Sequence, residues 1–526
     1  MGPGRRYRPA PASMPSAFFT ISPPLDPTPA DLNSVLEREV KLAASPGFTL
    51  PSLAEVDASV EVSQPEERRL ETVYYDTPDL RLARWGCSLR LRQGEGWTLK
   101  LPITTVGPTL NRRELEFPGD GRRPPDAATS LVMAYVRRSS LVPVASLSTV
   151  RRRVQLAQSG GPVLAEVVDD DVSVIQGLRV ASRFREVEVE LRDSGGDRLL
   201  EPVLALLRAA GAADGDNAPK LVRALGPRAS APPEVSPPEL SFRSTAADLV
   251  RHAIAGSVAA LLRHDPGVRL GDDPEDIHRA RVATRRLRSQ LRTFRAVLQR
   301  EWSDALREDL RWLADGLGEV RDKQVLAERL RGRTTALPEA DARAVTELAA
   351  QLDVESEEAR GRLVLDMRSE RYIALLERLV DAARNPTTTG PADKPATEVA
   401  GALASGDWKR LRKAVDSLEE EPPDADLHHV RILAKRVRYA AEAAEPVAGK
   451  PAARFAEAVT ELQDVLGDHQ DSVTAQQWLR RAADSPLAFA AGQLAALERE
   501  VARVDRSDWK KKWKILSRKR LRRWMI

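Results

Sequence analysis

The chain has 526 residues, 42% hydrophobic and 30% charged, with a formal net charge of +4. At about 150 residues per domain that length predicts three or four units and more than one buried core. A single cysteine, Cys87, excludes an internal disulfide framework and a cysteine-based zinc site.

No run approaches the roughly 18 apolar residues of a membrane span. The first thirty residues carry Arg5, Arg6, Arg8 and several prolines without the apolar segment of a secretory signal. They read as a flexible arm, and the whole as a soluble intracellular protein. The near-neutral total hides an uneven distribution. Residues 506–526 hold ten Lys or Arg and one acid, Asp508, a net of +9 that leaves −5 on residues 1–505.

Upstream of the proline-rich stretch GPRASAPPEVSPPELS, short alternating segments prevail: VLEREVKL, CSLRLRQ, GWTLKLP, RRELEFP, LAEVVDDDVSV and REVEVEL. Period-2 alternation predicts an antiparallel β domain over 31–226, followed by a stiff linker over 227–241. Strand parity places Glu37, Glu39 and Lys41 on one face, and likewise Arg90 with Arg92, Thr98 with Lys100, and Arg112 with Glu114 and Glu116. Arg151 and Arg153, Glu166 and Asp170, and Glu186, Glu188 and Glu190 follow the same rule. A sandwich with solvated charged faces accounts for any one such strand. Six or more strands mixing both signs equally fit a closed barrel with a charged lumen. Such a lumen suits a polyphosphate with a divalent metal: Arg and Lys grip phosphate oxygens, and carboxylates hold the ion.

The ordered set Glu37-x-Glu39-x-Lys41, Tyr75-Asp76-Thr77-Pro78, Leu89-Arg90-Leu91-Arg92, Trp97-Thr98-Leu99-Lys100, Arg112-x-Glu114, Glu166-x-x-x-Asp170, the Glu186/Glu188/Glu190 strand and Lys220 resembles the CYTH superfamily, the triphosphate tunnel enzymes. The resemblance implies an eight-stranded antiparallel tunnel that binds triphosphate compounds with Mg²⁺ or Mn²⁺. It implies phosphate clamps at Arg90, Arg92, Lys100, Arg112, Arg151 and Lys220. Glu37, Glu39, Asp170, Glu188 and Glu190 would hold the metal, and Lys41, Glu37 and Glu39 would orient the attacking water. Strand phase selects Asp170 from the triple 169–171 and leaves Arg151 against Arg153 open.

Downstream the pattern turns helical, and all six histidines (252, 264, 278, 428, 429, 469) lie there. An all-α domain is expected over 242–505, with a loop at 385–397. The stretch from His278 to Arg288 recurs as His428 to Arg438, 150 residues later, and Leu317-Gly318-x-x-x-Asp322 recurs as Leu466-Gly467-x-x-x-Asp471. On a helix His278, Arg281, Arg285, Arg288, Arg292 and Arg295 form one stripe, and the copy gives His428, Arg431, Lys435 and Arg438. From Ile277 to Arg300 there are eight arginines and no acid. Either acids on neighbouring helices pair with this stripe or a bound anion neutralises it. The lack of interleaved aromatics favours a phosphate backbone over stacked bases.

The duplicated motif resembles the CHAD domain. That resemblance implies two helical bundles related by a pseudo-twofold axis. It also implies a basic surface for inorganic polyphosphate at His278, Arg281, Arg285, Arg286, Arg288, His428, Arg431, Lys435, Arg436 and Arg438. In the tail, Trp509, Trp513, Leu516, Leu521 and Trp524 share a helical face. The tail either docks as a last helix or binds a membrane surface, nucleic acid or polyphosphate.

The expectation is therefore a multidomain α+β protein, an antiparallel eight-stranded β tunnel barrel followed by an all-α duplicated bundle. Its expected activity is metal-dependent inorganic triphosphatase, with polyphosphate as partner and a cytoplasmic place at polyphosphate granules. The competing readings are a non-catalytic polyphosphate-binding protein and thiamine triphosphatase or adenylate cyclase chemistry. Nucleic acid is a secondary candidate partner.

Overall fold

The computed structural model describes residues 34–103, 110–192, 196–215, 218–482 and 487–525. The expected N-terminal arm and the Glu37 side chain lie outside the described residues. In chain order, β1 (Ser34–Ala44), β2 (Val60–Val62) and β3 (Glu66–Asp76) precede a short helix, α1 (Arg81–Arg84). Next come β4 (Ser88–Arg92), β5 (Gly96–Pro102), β6 (Leu110–Phe117), α2 (Asp126–Leu131) and α3 (Met133–Val136). Three long strands follow, β7 (Val142–Gln158), β8 (Val163–Gln176) and β9 (Arg179–Leu191). The first half ends with α4 (Asp197–Ala209), β10 (Ala213–Asp214) and α5 (Lys220–Leu225).

The strands form one antiparallel sheet in the order β10-β1-β6-β5-β4-β3-β7-β8-β9, with β2 beside β7 and a further pairing of β1 with β9. β1 meets β6 along Ser34–Glu39 and β9 along Arg38–Ala44, so the sheet curls until its far strands share β1. The expected count of eight is corrected to ten, and the seam is split along β1 rather than sealed by one continuous ladder. The extra strands occupy backbone that the others leave unpaired. β2 pairs β7 beyond the reach of β3, and β10 pairs β1 at Leu42 and Ala43, past the end of β6. Unpaired strand edges demand hydrogen-bond partners.

The sheet turns its apolar parity outward and its charged parity inward. Val40, Leu42, Val167, Val187 and Val189 pack against Leu199, Val203 and Leu207 of α4. Glu39, Lys41 and Glu188, on the opposite parity, face the interior and are 2%, 7% and 3% exposed.

The second half is helical: α6 (Ala246–Leu270), α7 (Pro274–Thr293), α8 (Arg300–Gly332), α9 (Glu339–Met367) and α10 (Glu370–Arg384), then α11 (Ala396–Asp416), α12 (Asp424–Ala448), α13 (Lys450–Leu479) and α14 (Ala488–Leu516). The starts of α6, α7 and α8 recur 150 residues later as those of α11, α12 and α13. The burial pattern of 277–296 is repeated residue for residue over 427–446. Two hydrogen bonds exchange across the pseudo-axis: Ala246 N–H donates to the Lys394 carbonyl at 2.8 Å, and Ala396 N–H donates to the Ser244 carbonyl at 2.9 Å.

The proline-rich stretch is a strap rather than a free spacer. Glu234 accepts the Trp85 indole N–H at 2.9 Å and pairs with buried Arg137 at 2.9 Å. Val235 joins the apolar cluster shared by α2, α3 and α6. The tail docks: Trp509 is 4% exposed, and Trp513 stacks on Trp408 with centroids 5.2 Å apart. Among the described residues no helix is long and apolar enough to cross a membrane.

Deleting a buried indole removes both transfer energy and packing. Trp509→Ala should therefore lower the stability of the helical half by about 3–5 kcal/mol, read by urea unfolding. An unchanged midpoint would mean that the tail is not docked.

Candidate functional site

A cavity of about 320 Å³ lies within the curled sheet. Of the residues expected there, Glu39, Lys41, Arg90, Arg92, Lys100, Arg112, Arg151, Glu188, Glu190 and Lys220 line it. The register explains the set: Glu39 lies opposite Glu190, Lys41 opposite Glu188, and Lys100 opposite Glu114. Asp170 lies opposite both Arg151 and Glu186. Asp170 itself does not line the cavity. It is fully buried behind it and accepts from Arg151 Nε at 2.9 Å and Nη2 at 2.7 Å.

Carboxylates facing one another across a ladder are destabilising unless countered. Lys220, the first residue of α5, supplies the counter-charge: its Nζ stands 3.0 Å from Asp170, 2.7 Å from Glu186 and 2.9 Å from Glu188. Lys41 pairs with Glu188 and lies 3.3 Å from Glu39. Burial alone would lower both ammonium groups, but the surrounding carboxylates outweigh it and hold them above the ordinary lysine value. Burial would likewise raise Glu188, yet Lys220, Lys41 and Arg151 hold it well below the usual carboxylate range. Asp170 is held low by Lys220 and Arg151 against the same burial.

Glu39, Glu188 and Glu190 bring carboxylate oxygens within 4.8 Å of one another. This is a hard-oxygen donor set that fits a hard divalent cation. Across the cavity Arg90 and Lys100 each lie 3.1 Å from Glu114, and Arg92 lies 2.7 Å from Glu95. Glu186 sits apart from the carboxylate trio, with Lys220 and with Arg223 at 2.7 Å. Arg153 lines the cavity as well as Arg151 and pairs with Glu66 at 2.8 Å.

The cavity also contains Glu66, Arg68, Glu95, Glu114, Glu116, Glu166 and Arg192, none of them among the expected site residues. Parity had already put Glu114, Glu116 and Glu166 on the charged face. Glu66 and Arg68 stand in the run EERR, which shows no alternation, and Glu95 and Arg192 lie outside the strands.

In the helical half, Arg281 pairs with Asp322 at 2.7 Å and Arg431 lies 3.8 Å from Asp471. A Cβ at Gly318 would lie 3.7 Å from Arg281 Nη2, and one at Gly467 3.4 Å from Arg431 Nη2. The repeated Leu-Gly-x-x-x-Asp thus seats a stripe arginine across its glycine and offers it a carboxylate. Acids on neighbouring helices therefore do neutralise part of the stripe. Arg286 and Arg438 share Glu442, at 2.6 Å and 3.4 Å.

Arg285 and Lys435 have no carboxylate in ion-pair range among the described residues. Burial, then Arg285, Arg431 and Arg281, pull Lys435 down to about 6. Burial also lowers His278 and His428, with Arg431 adding to the effect at His428. Arg288 instead feels Asp315, Arg307 and Arg311 of α8, and Arg436 feels Arg292 and Asp407. The ten expected residues therefore divide: the cationic crossing of α7 and α12 leaves Arg285 and Lys435 without an ion-pair partner among the described residues, and the others have separate surroundings.

A curled antiparallel sheet with a two-signed interior, followed by a duplicated helical bundle, defines the class. Residues 36–222 match the model of the CYTH domain and residues 252–480 that of the CHAD domain, and the chain belongs to the family of proteins that join the two. It is similar to the uncharacterized protein Rv2226 of Mycobacterium tuberculosis, with 33% identity over 473 residues, 84% of this chain and 88% of that one. Among solved structures, PptA from Streptomyces chartreusis is 24% identical, with TM-score 0.45, covering 52% of this chain and 100% of that one. The CHAD domain from the plant Ricinus communis is 25% identical, with TM-score 0.42, covering 52% of this chain and 95% of that one. The CYTH domain places the chain among the triphosphate tunnel proteins.

The charge cluster fixes the sign of a pH dependence. Glu188 and Asp170, held low, stabilise the fold above their ordinary values of 4.5 and 3.8, and that contribution is lost as pH falls through their depressed values. Lys220, held high, contributes below 10.5 and loses its contribution as pH rises through its raised value. Lys220→Met should cost about 3–5 kcal/mol at neutral pH, as breaking a buried pair does. It should also flatten the acid loss of stability, because Asp170 and Glu188 are then held less far below their ordinary values. Urea midpoints across pH 3–9 check both, and a profile superimposable on the parent's would refute them.

Proposed function

We propose that the tunnel hydrolyses the terminal phosphoanhydride of inorganic triphosphate or longer polyphosphate with Mg²⁺ or Mn²⁺, and that the helical domain binds polyphosphate. The observation that carries this reading is the Glu39/Glu188/Glu190 cluster sharing one cavity with Arg90, Arg92, Lys100, Arg112, Arg151 and Lys220. A divalent ion held by the three glutamates would supply positive charge at the reacting phosphate.

The chain's own residues do the rest. The arginines and Lys100 hold the phosphate chain and meet charge on the departing end. Lys41 stays protonated between Glu39 and Glu188, so it serves as a fixed donor to water or phosphate rather than as a base. Glu37 and Glu39 orient the attacking water. Asp170 acts at one remove, by positioning Arg151 and Lys220. Tyr74 is the single aromatic residue lining the cavity among the described residues, which supports an inorganic chain over a nucleotide whose base would need stacking. In the helical domain, Arg285 and Lys435 mark where a polyanion would bind. A polyphosphate ligand would place the chain in the cytoplasm at polyphosphate granules.

Purified protein with Mg²⁺ or Mn²⁺ should release phosphate from tripolyphosphate, and Glu188→Gln or Glu37→Ala should lower kcat by about 100-fold or more. Absence of release, or full activity in both variants, would sink the hydrolase reading. Polyphosphate should also return a proton to Lys435. Titration calorimetry at pH 7.5 in two buffers of different ionisation enthalpy should show proton uptake that Lys435→Met reduces. Uptake unchanged in that variant would remove Lys435 from the binding surface.

A further inference from the structure

The two helical copies differ at one seam. In the first copy the last turn of α6 closes over the start of α7: His264 Nδ1 meets Asp276 Oδ1 at 2.7 Å, and a Cβ at Gly267 would overlap the Asp276 carboxylate. The exterior of α6 is covered as well. Arg263 lies over the Trp85 ring of the β domain at 6.0 Å, and α6 shares an apolar cluster with α2 and α3.

In the second copy α11 ends at Asp416, whereas α6 runs to Leu270, the counterpart of residue 420. Asp426, the counterpart of Asp276, finds Ala414 and Ser417 where the first copy has His264 and Gly267. A groove of about 470 Å³ remains between α11 and α12. Its polar lining includes Arg410, Lys413, His429 and Arg436, with Asp426 as its carboxylate.

The first copy has Ala260 in place of Arg410, and the cationic counterparts of the other positions are engaged elsewhere. Arg279, the counterpart of His429, pairs with Glu275 at 2.8 Å, and Arg286, the counterpart of Arg436, pairs with Glu442 at 2.6 Å. The counterpart of Glu442 is Arg292, so Arg436 gains another cation where Arg286 has an acid. Burial, then the Arg292 charge, hold the Arg436 guanidinium below its ordinary value. Arg410 keeps Asp407 at 2.7 Å, while Lys413 and Arg436 have no carboxylate in ion-pair range among the described residues. Three permanent cations, one of them paired with Asp407, thus face Asp426 over an apolar floor of Leu418, Val430 and Leu433, and the lack of aromatic lining suits phosphate groups rather than stacked bases.

We propose that the groove between α11 and α12 is a second phosphate-chain site, in which Arg410, Lys413 and Arg436 hold a run of phosphates apart from the α7–α12 crossing. The proposal rests on the reading of the helical domain as polyphosphate-binding for the identity of its ligand. A long inorganic polyphosphate would span both sites, and each would add to its retention.

The test uses the full chain, inorganic polyphosphate as probe and no divalent metal, with affinity measured across salt concentrations. Arg410→Glu/Lys413→Glu changes two exposed side chains. It should weaken binding about tenfold and reduce the slope of log K against log salt by about 2, with an unchanged circular dichroism spectrum. Arg410→Lys should retain binding. Arg285→Glu/Lys435→Glu, at the crossing, should leave residual binding that the groove changes then reduce to the tunnel's own.

Unchanged affinity and slope in the groove variant would overturn the proposal. If the crossing variant alone abolishes binding, the second site falls while the polyphosphate reading stands. If neither variant affects binding, both fail. A groove variant that loses duplex DNA but keeps polyphosphate would also overturn the proposal, in favour of nucleic acid.

Discussion

The Lys220 ammonium is the contact on which the tunnel interior depends. Strand spacing brings the carboxylates of β8 and β9 face to face, and the sheet alone has no means of moving them apart. Without a counter-ion, Asp170, Glu186 and Glu188 would take up protons or push the wall open. One lysine from α5 lies within 3.0 Å of all three. Lys41 and Arg151 complete the neutralisation from β1 and β7. The walls can therefore stay fully charged while buried, which is otherwise costly. Around the cavity cations and carboxylates are close to balance, so the fold does not need a ligand to stand. Pairs such as Lys100 with Glu114 can still exchange partners when phosphate enters.

Much of this was legible because strand parity is a local property. Glu39, Lys41, Arg90, Arg92, Glu188 and Glu190 came from alternation that needs no knowledge of neighbours. The differences in placement had tertiary causes. Asp170 has the right parity, but Arg151 and Lys220 stand between it and the cavity. β2 and β10, three and two residues long, are too short for any periodicity and exist because other strands leave edges open. In the helical half the 150-residue repeat was plain, whereas the pairing of Arg281 with Asp322 joins two helices and so has no local signature. The proline run suggested a spacer, yet Glu234 and Val235 find partners that only the assembled domains provide.

Duplication here has kept the backbone and released the surfaces. The reciprocal bonds of Ala246 and Ala396 hold the copies in register, and the buried positions of α7 and α12 coincide. The exteriors have gone separate ways. One copy gives its outer helix to the β domain through Trp85 and Arg263, and the corresponding face of the other stays open with its cations exposed. Internal symmetry thus marks function by where it fails.

The pairing of β1 with β9 has a consequence for synthesis. Lys41 hydrogen-bonds into a strand whose partner residue, Glu188, is translated almost 150 positions later, and Lys220 comes later still. At about 5–20 residues per second the first strand waits roughly 8–30 s on the ribosome for its neighbour. Ser34–Glu39 can pair with β6 sooner, but Val40–Ala44 has no ladder partner until β9 and β10 emerge, which leaves its apolar parity uncovered. The same delay is protective: Glu39 meets Glu188 and Glu190 only after the last long strand emerges, so an unfinished chain has no assembled carboxylate cluster.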